Sequence, residues 1–319
     1  MPAAELPERI GEVRPVPLCG HVEASMQLSG VVVAGDHLVL GADEGHHVHV
    51  LKRRDANGCW QPERQIALAK QDQEADVEAL TYGDGHLYVV GSHSRRRRRM
   101  KPELSARKNR ERLLQVEEQE SRNRVFRIPF DAATGALGKA DHISLSKRLR
   151  KDPLLGQFYG LPGKENGIDI EGMAYRDGIL YLGFRGPVLR DNFVPVMLLD
   201  YDRPKAYEVR FVRLAGQGIR DMAALGDGFL ILTGPVNDAP GPFQLWWWDG
   251  QDQVPGRDRS VRDCVLLGPV SAPGGAKAEG LAVLSAVSDS AELLLLYETS
   301  TSAQAVSMRV GGLPLGGSR

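Results

Sequence analysis

One phrase recurs along the chain, and its spacing limits the fold more than any other feature. Its fullest copy covers residues 167–186: two short apolar runs joined by Arg176-Asp177-Gly178, with Asp169 and Glu171 at the entrance and Arg185 at the exit. Further copies lie at residues 28–41, 76–91, 220–232 and 278–297. Aligned on the polar residue that opens each copy, they put Ser29, Glu78, Glu171, Asp221 and Glu279 in one column, spaced 49, 93, 50 and 58 residues apart. A period near 50 is that of a four-stranded propeller blade. Apolar, β-branched runs at 47–51, 124–130, 196–201 and 243–248 read as third strands, each followed by a weaker fourth. The expected fold class is all-β, a single-domain five-bladed β-propeller over residues 1–319, with six blades if a degenerate copy lies between Asp131 and Gly167. After Tyr297 only one strand fits, at 305–310, while a strand-like segment at 11–18 precedes the first copy. The N-terminus is therefore expected to supply the outermost strand of the last blade, closing the ring without a free sheet edge.

The 40 Lys+Arg against 41 Asp+Glu give no global case for nucleic acid or membrane partners. No stretch approaches the roughly 18 apolar residues of a membrane span, and residues 1–18 carry acids and prolines rather than a basic then apolar leader. Cys19, Cys59 and Cys264 are odd in number and widely spaced. That pattern argues for a cytoplasmic location and no disulfide framework.

Charge is concentrated in one place. Residues 93–124 hold twelve basic side chains, including the run Arg95, Arg96, Arg97, Arg98 and Arg99, against five acids, so this insertion in the second blade is about +7 and the remainder about −8. Pro102 is placed to start a helix over residues 103–120. Its charges run basic to acidic, against the helix dipole, which predicts a partly helical or disordered segment. The run Arg95 to Arg99 reads first as a solvated arm, since no aromatic residues are interleaved for base stacking, and second as an electrostatic grip for an acidic protein or nucleic acid. Residues 146–166 read as an irregular or helical connection.

In a propeller the innermost strands line a central channel, so Ser29, Glu78, Glu171, Asp221 and Glu279 are expected to form one ring at its mouth. Carboxylates this close repel, and relief comes from a cation, from raised pKa values, or from neighbouring bases such as Arg220 and Lys277. Among cations, calcium accepts six to eight oxygens in loose geometry. The loops after the second strands open on the same face and bring Asp43, Glu44, Arg185, Asp238 and Glu298 there. Acids near the axis with arginines around them suit an anionic, phosphate-type small molecule bridged to a metal. On this reading Arg185, Arg220, Asp169 and His93 are the candidate catalytic residues, His93 as a base near neutral pH. The alternative is a non-catalytic platform that binds an acidic partner. Nothing in the sequence matches a nucleophile elbow or a metalloprotease motif.

The phrase Gly-Ile-Asp-Ile-Glu-Gly-Met-Ala-Tyr with Leu-Tyr-Leu-Gly-Phe-Arg-Gly-Pro (residues 167–187), together with Gly-Ile-Arg-Asp-Met-Ala (218–223), resembles a bacterial β-propeller family catalogued as a domain of unknown function. The Asp-x-Glu-Gly-x-Ala element is also similar to esterase-like domains named for phytase. Leu28-Ser29-Gly30 and Val77-Glu78-Ala79-Leu80 are similar to inner-strand phrases of the calcium-activated nucleotidases, or apyrases. That resemblance implies a channel calcium and supports Ser29, Glu78, Glu171 and Glu279 as ring positions; Asp221 departs from it.

Overall fold

The computed structural model describes residues 9–20, 27–53, 58–70, 73–271, 275–298 and 304–315. The expectation made on residues 1–18 lies partly outside the described residues, which begin at Arg9. Five four-stranded antiparallel sheets form the body. Blade one comprises Leu28–Ala34, His37–Ala42, His47–Arg53 and Trp60–Ala67. Blade two comprises Val77–Gly83, His86–Gly91, Val125–Pro129 and Asp141–Ile143. Blade three comprises Asp169–Arg176, Ile179–Gly186, Phe193–Leu199 and Tyr207–Arg213, and blade four Gly218–Leu225, Gly228–Gly234, Phe243–Trp248 and Val265–Val270. Blade five has Lys277–Val287, Ser290–Glu298 and Gln304–Val310, and takes Ile10–Pro15 as its fourth strand, with Ile10 opposite Val310 and Pro15 opposite Val306. Five blades and N-terminal closure are thus as expected. Between Asp131 and Gly167 the chain forms the fourth strand of blade two, then a helix at Ser146–Lys151 and short 3-10 turns, leaving no sixth blade among the described residues.

Local chemistry accounts for the repeated hairpins. In blade three Asp177 and Gly178 both take positive φ, +50° and +81°, the pairing that a tight two-residue turn between twisted strands requires. The first strand of each blade packs against the first strands of both neighbours, so five strands surround the axis. Close approach is achieved with glycine: Gly172 and Gly183 are cross-strand partners, and a Cβ on either would lie 2.7 Å from a side-chain carbon of Ile219 in the next blade.

Burial follows the seams between blades. Each of five apolar clusters joins two adjacent blades, the last uniting blades five and one through Leu28, Val31, Ala282 and Leu294. Strand alternation divides the tryptophan triplet accordingly: Trp247 faces blade five, while Trp246 and Trp248 face blade three.

The expectation of no disulfide is corrected by the structure. Beyond Pro15 the chain crosses to blade one, where the Trp60 N–H donates to Pro17 O at 3.0 Å and the Cys19 N–H to Trp60 O at 2.9 Å. This crossing brings Cys19 and Cys59 to a Cα separation of 6.0 Å, and the two are joined as a disulfide. An odd cysteine count does not exclude a pair, so the thiol-based argument for a reducing compartment loses its premise. No helix among the described residues is long and apolar enough to cross a membrane. The basic insertion is partly helical, as expected, and folds into an arm. Arg96–Arg97 pairs with Val116–Glu117 as a short ribbon, and between them Ala106–Leu113 is helical, capped by the Ser105 hydroxyl. The helix is shorter than residues 103–120 and buries none of its residues. The arm is held instead by polar contacts, chiefly Arg97 to both oxygens of Glu165 at 2.5 and 2.8 Å.

Candidate functional site at the channel mouth

Near its entrance, each innermost strand slips by one residue against its hairpin partner. A bulge of this kind re-aims one side chain. The five bulged residues are Ser29, Glu78, Glu171, Arg220 and Glu279, and all five line one cavity of about 730 Å³ at the mouth of the channel. Arg220, not Asp221, is therefore the fourth ring residue. Asp221 points into the seams, where one carboxylate oxygen accepts the Met222 N–H and the other the Leu281 N–H of blade five, both at 2.7 Å. The Met173 N–H of blade three reaches it as well. Aligning the copies on the shared Met-Ala pair, Met173-Ala174 with Met222-Ala223, puts Arg220 opposite Glu171; aligning acid on acid hides it.

Around the ring the arginines are engaged from both sides. Arg185 pairs with Asp169 and, at 2.6 Å, with Glu171; Arg220 pairs with the other Glu171 oxygen at 2.9 Å and with Glu279. A continuous chain Asp169–Arg185–Glu171–Arg220–Glu279 thus spans blades three to five, and all its members are buried. Burial pushes the Glu171 carboxyl up, and the two guanidiniums oppose that shift. His93 lies outside the cavity. Its Nδ1 bonds Gly91 O at 2.8 Å, its Nε2 accepts the Leu145 N–H at 3.4 Å, and burial lowers its pKa to about 4. With both ring nitrogens committed, it is a structural histidine, not a base.

The family model described as "Protein of unknown function (DUF3616)" matches residues 27–310. The chain belongs to that family. No curated protein sequence matches it significantly. Solved structures similar to this DUF3616 chain include an exo-β-1,3-galactanase from Phanerochaete chrysosporium (8% identity, 93% of this chain, 64% of that chain, TM-score 0.49). Others are a Trypanosoma rangeli sialidase mutant displaying trans-sialidase activity (13%, 93%, 57%, 0.41) and a hypothetical protein from Leishmania major (9%, 95%, 91%, 0.45). The chain spans less than two thirds of the galactanase and of the sialidase, and likenesses this distant carry no argument about activity.

The charges lining the DUF3616 cavity divide unevenly. Eleven basic residues face it, and nine of them hold an ion pair, such as Arg95–Glu118, Arg96–Glu74, Arg98–Glu117, Lys164–Asp238 and Lys277–Glu298. The run Arg95 to Arg99 is thus largely neutralised within the chain. Twelve acids face the cavity, and among the described residues only Asp43, Glu44 and Glu78 have no basic partner. Glu44 is exposed and accepts from Gln27 at 3.0 Å. Asp43 keeps one buried oxygen without a hydrogen bond. Burial, then Asp76 and Glu298, raises its pKa to about 7. Glu78 is driven well above the ordinary range by burial and then by Glu171, Asp76 and Asp169.

Blade two explains this shortfall. Asp76 and Glu78 repeat Asp169 and Glu171, a pairing from which Asp76, missed in the sequence, is readable as a site residue, but the position that holds Arg185 in blade three holds Ser92 in blade two and Asp43 in blade one. Ser92 donates to Asp76, which Arg122 also meets at 3.1 Å. Glu78 is left alone. A calcium cage of five ring residues does not fit these donors: Arg220 occupies one position, and its guanidinium engages Glu171 and Glu279. No group of three or more His, Cys, Asp or Glu suited to a metal occurs among the described residues.

Proposed function

We propose that the channel mouth is a small-molecule site that takes a cation on its blade-one and blade-two side, against Asp43 and Glu78. One observation carries this reading: among the described residues three of the cavity's twelve acids lack a basic partner, and two of them, Asp43 and Glu78, are half-buried rather than exposed. Carboxylates so placed either stay protonated or attract positive charge. Calcium suits an oxygen-only set completed by water, with the Ser29 hydroxyl alongside. Bound there, it would supply positive charge to an anionic ligand. Arg185 and Arg220 then act as positioning residues that hold Glu171 and Glu279 in place, not as ligand contacts. The function supported is binding. With Asp43 and Glu78 engaged, exposed Glu44 is the one cavity carboxylate among the described residues left without a basic or cationic partner.

Elemental analysis of protein dialysed against trace calcium tests this reading. About one calcium per chain is expected, retained in Glu44→Gln and lost in Glu78→Gln. Metal-free wild type, or equal loading of Glu78→Gln, contradicts the proposal.

A further inference from the structure

The same cavity leaves two bases unmatched, and both come from the arm. Arg99 and Arg112 line the mouth, yet neither has a carboxylate within ion-pair distance among the described residues, unlike the other nine basic residues there. They are also held together. Arg112 Nε donates to the Arg99 carbonyl at 2.6 Å, which fixes one edge of the guanidinium and leaves its two terminal nitrogens without a hydrogen-bond partner among the described residues. The arm behind them is anchored: Arg98 pairs with Glu117 at 2.9 Å, its N–H bonds Gln115 O at 3.0 Å, and Arg97 grips Glu165.

We propose that Arg99 and Arg112 form the subsite for the anionic group of the ligand, a phosphate- or carboxylate-type oxyanion. The proposal rests on the channel mouth being a small-molecule site, and it moves anion recognition from the floor to the roof of the cavity. Geometry and charge both favour the roof. On the floor, Arg185 and Arg220 each already touch two carboxylates, so an entering anion meets Asp169, Glu171 and Glu279 with the arginines. On the roof, a guanidinium fork with free N–H groups matches two oxygens of a planar or tetrahedral oxyanion. A cavity of about 730 Å³ is large enough to hold a small ligand between the two. The ligand class that fits carries an oxyanion toward the arm and reaches positive charge at Asp43 and Glu78.

Calorimetric titration of the intact protein with methyl phosphate, and separately with acetate, tests the assignment. Arg99→Gln/Arg112→Gln is expected to weaken methyl phosphate at least about tenfold, equivalent to ~1.4 kcal/mol. Arg112→Lys, which keeps the charge but loses the fork and the Nε anchor, should fall between. Lys108→Gln/Arg110→Gln removes equal charge from the same arm outside the cavity lining and should bind as wild type. Stronger binding of methyl phosphate than acetate marks a phosphate ligand, and the reverse a carboxylate. Failure of wild type to bind either anion, equal binding by the Arg99/Arg112 variant, or equal loss in the Lys108/Arg110 variant overturns the proposal. Calcium loading of each variant is measured in parallel. If wild type takes no calcium but anion binding still depends on Arg99 and Arg112, the cation reading fails and the roof subsite stands. Calcium loading with arginine-independent anion binding removes the roof subsite and keeps the cation site.

Discussion

The two sides of the channel mouth use equivalent strand positions and reach opposite electrostatic states. In blade three the acids Asp169 and Glu171 are met by Arg185 from the second strand and by Arg220 from the next blade. In blade two the same positions hold Asp76 and Glu78, but the second strand offers Ser92, and blade one adds Asp43 where blade three has arginine. One side is neutralised internally. The other keeps Asp43 and Glu78, which no base pairs with among the described residues. The comparison teaches that a ring of acids in a repeat fold is not one site; its character changes from blade to blade with a single neighbouring residue.

Breaking the neutralised side should produce the largest effect. Arg185→Ser gives blade three the residue that blade two has, leaving Asp169 without its guanidinium and Glu171 with one of two. Removing one partner of a buried pair costs about 3–5 kcal/mol, to be read as a lower urea midpoint at unchanged slope. Glu78→Gln on the other side should leave stability unchanged or raise it in metal-free protein above neutral pH, because it removes a half-buried carboxylate without a basic partner among the described residues. Equal losses in the two variants would erase the distinction.

A smaller loss is expected at the seam. Asp221→Ala strips the acceptor from the Leu281 and Met222 N–H groups, at about 1–3 kcal/mol for each group left unsatisfied. If Asp221 were a ring ligand, this variant would lose calcium; the expected result is lower stability with calcium loading intact in the folded fraction.

The pH dependence follows from Asp43. Its folded pKa, about 7, lies above the ordinary carboxyl value of 3.8. The folded state therefore holds the proton more tightly, and the stabilisation is fully present below about pH 4 and lost as pH rises through about 7. In chelator, the melting temperature of wild type relative to Asp43→Asn should decline across that window. Calcium should reduce the decline by taking the place of the proton. A constant difference between wild type and variant from pH 4 to 8 would show that Asp43 is not carrying the unmatched charge.

Blade number, strand order and N-terminal closure are legible in the sequence because hairpin phrases repeat locally and the period of about 50 counts them. Four of the five ring positions follow from the same alignment. Arg220 escapes it by one residue because a bulge is a property of pairing register, and an acid in the next position makes a better textual match. His93 reads as an accessible loop residue, but its positive φ of +54° and two hydrogen bonds turn it inward. The disulfide depends on the chain crossing from blade five to blade one, a contact between residues 40 apart that no local pattern announces. Likewise, the arm's long-range ion pairs with Glu74 and Glu165 order a segment whose own charge sequence argues against a helix.

The most direct test is calorimetric calcium titration of chelator-treated protein at pH 8, comparing wild type, Glu78→Gln and Asp221→Asn. A single site in wild type and Asp221→Asn, absent in Glu78→Gln, is the predicted result. Calcium binding that survives Glu78→Gln, or that disappears in a folded Asp221→Asn, would contradict the division of the channel mouth into a neutralised side and a cation-seeking one.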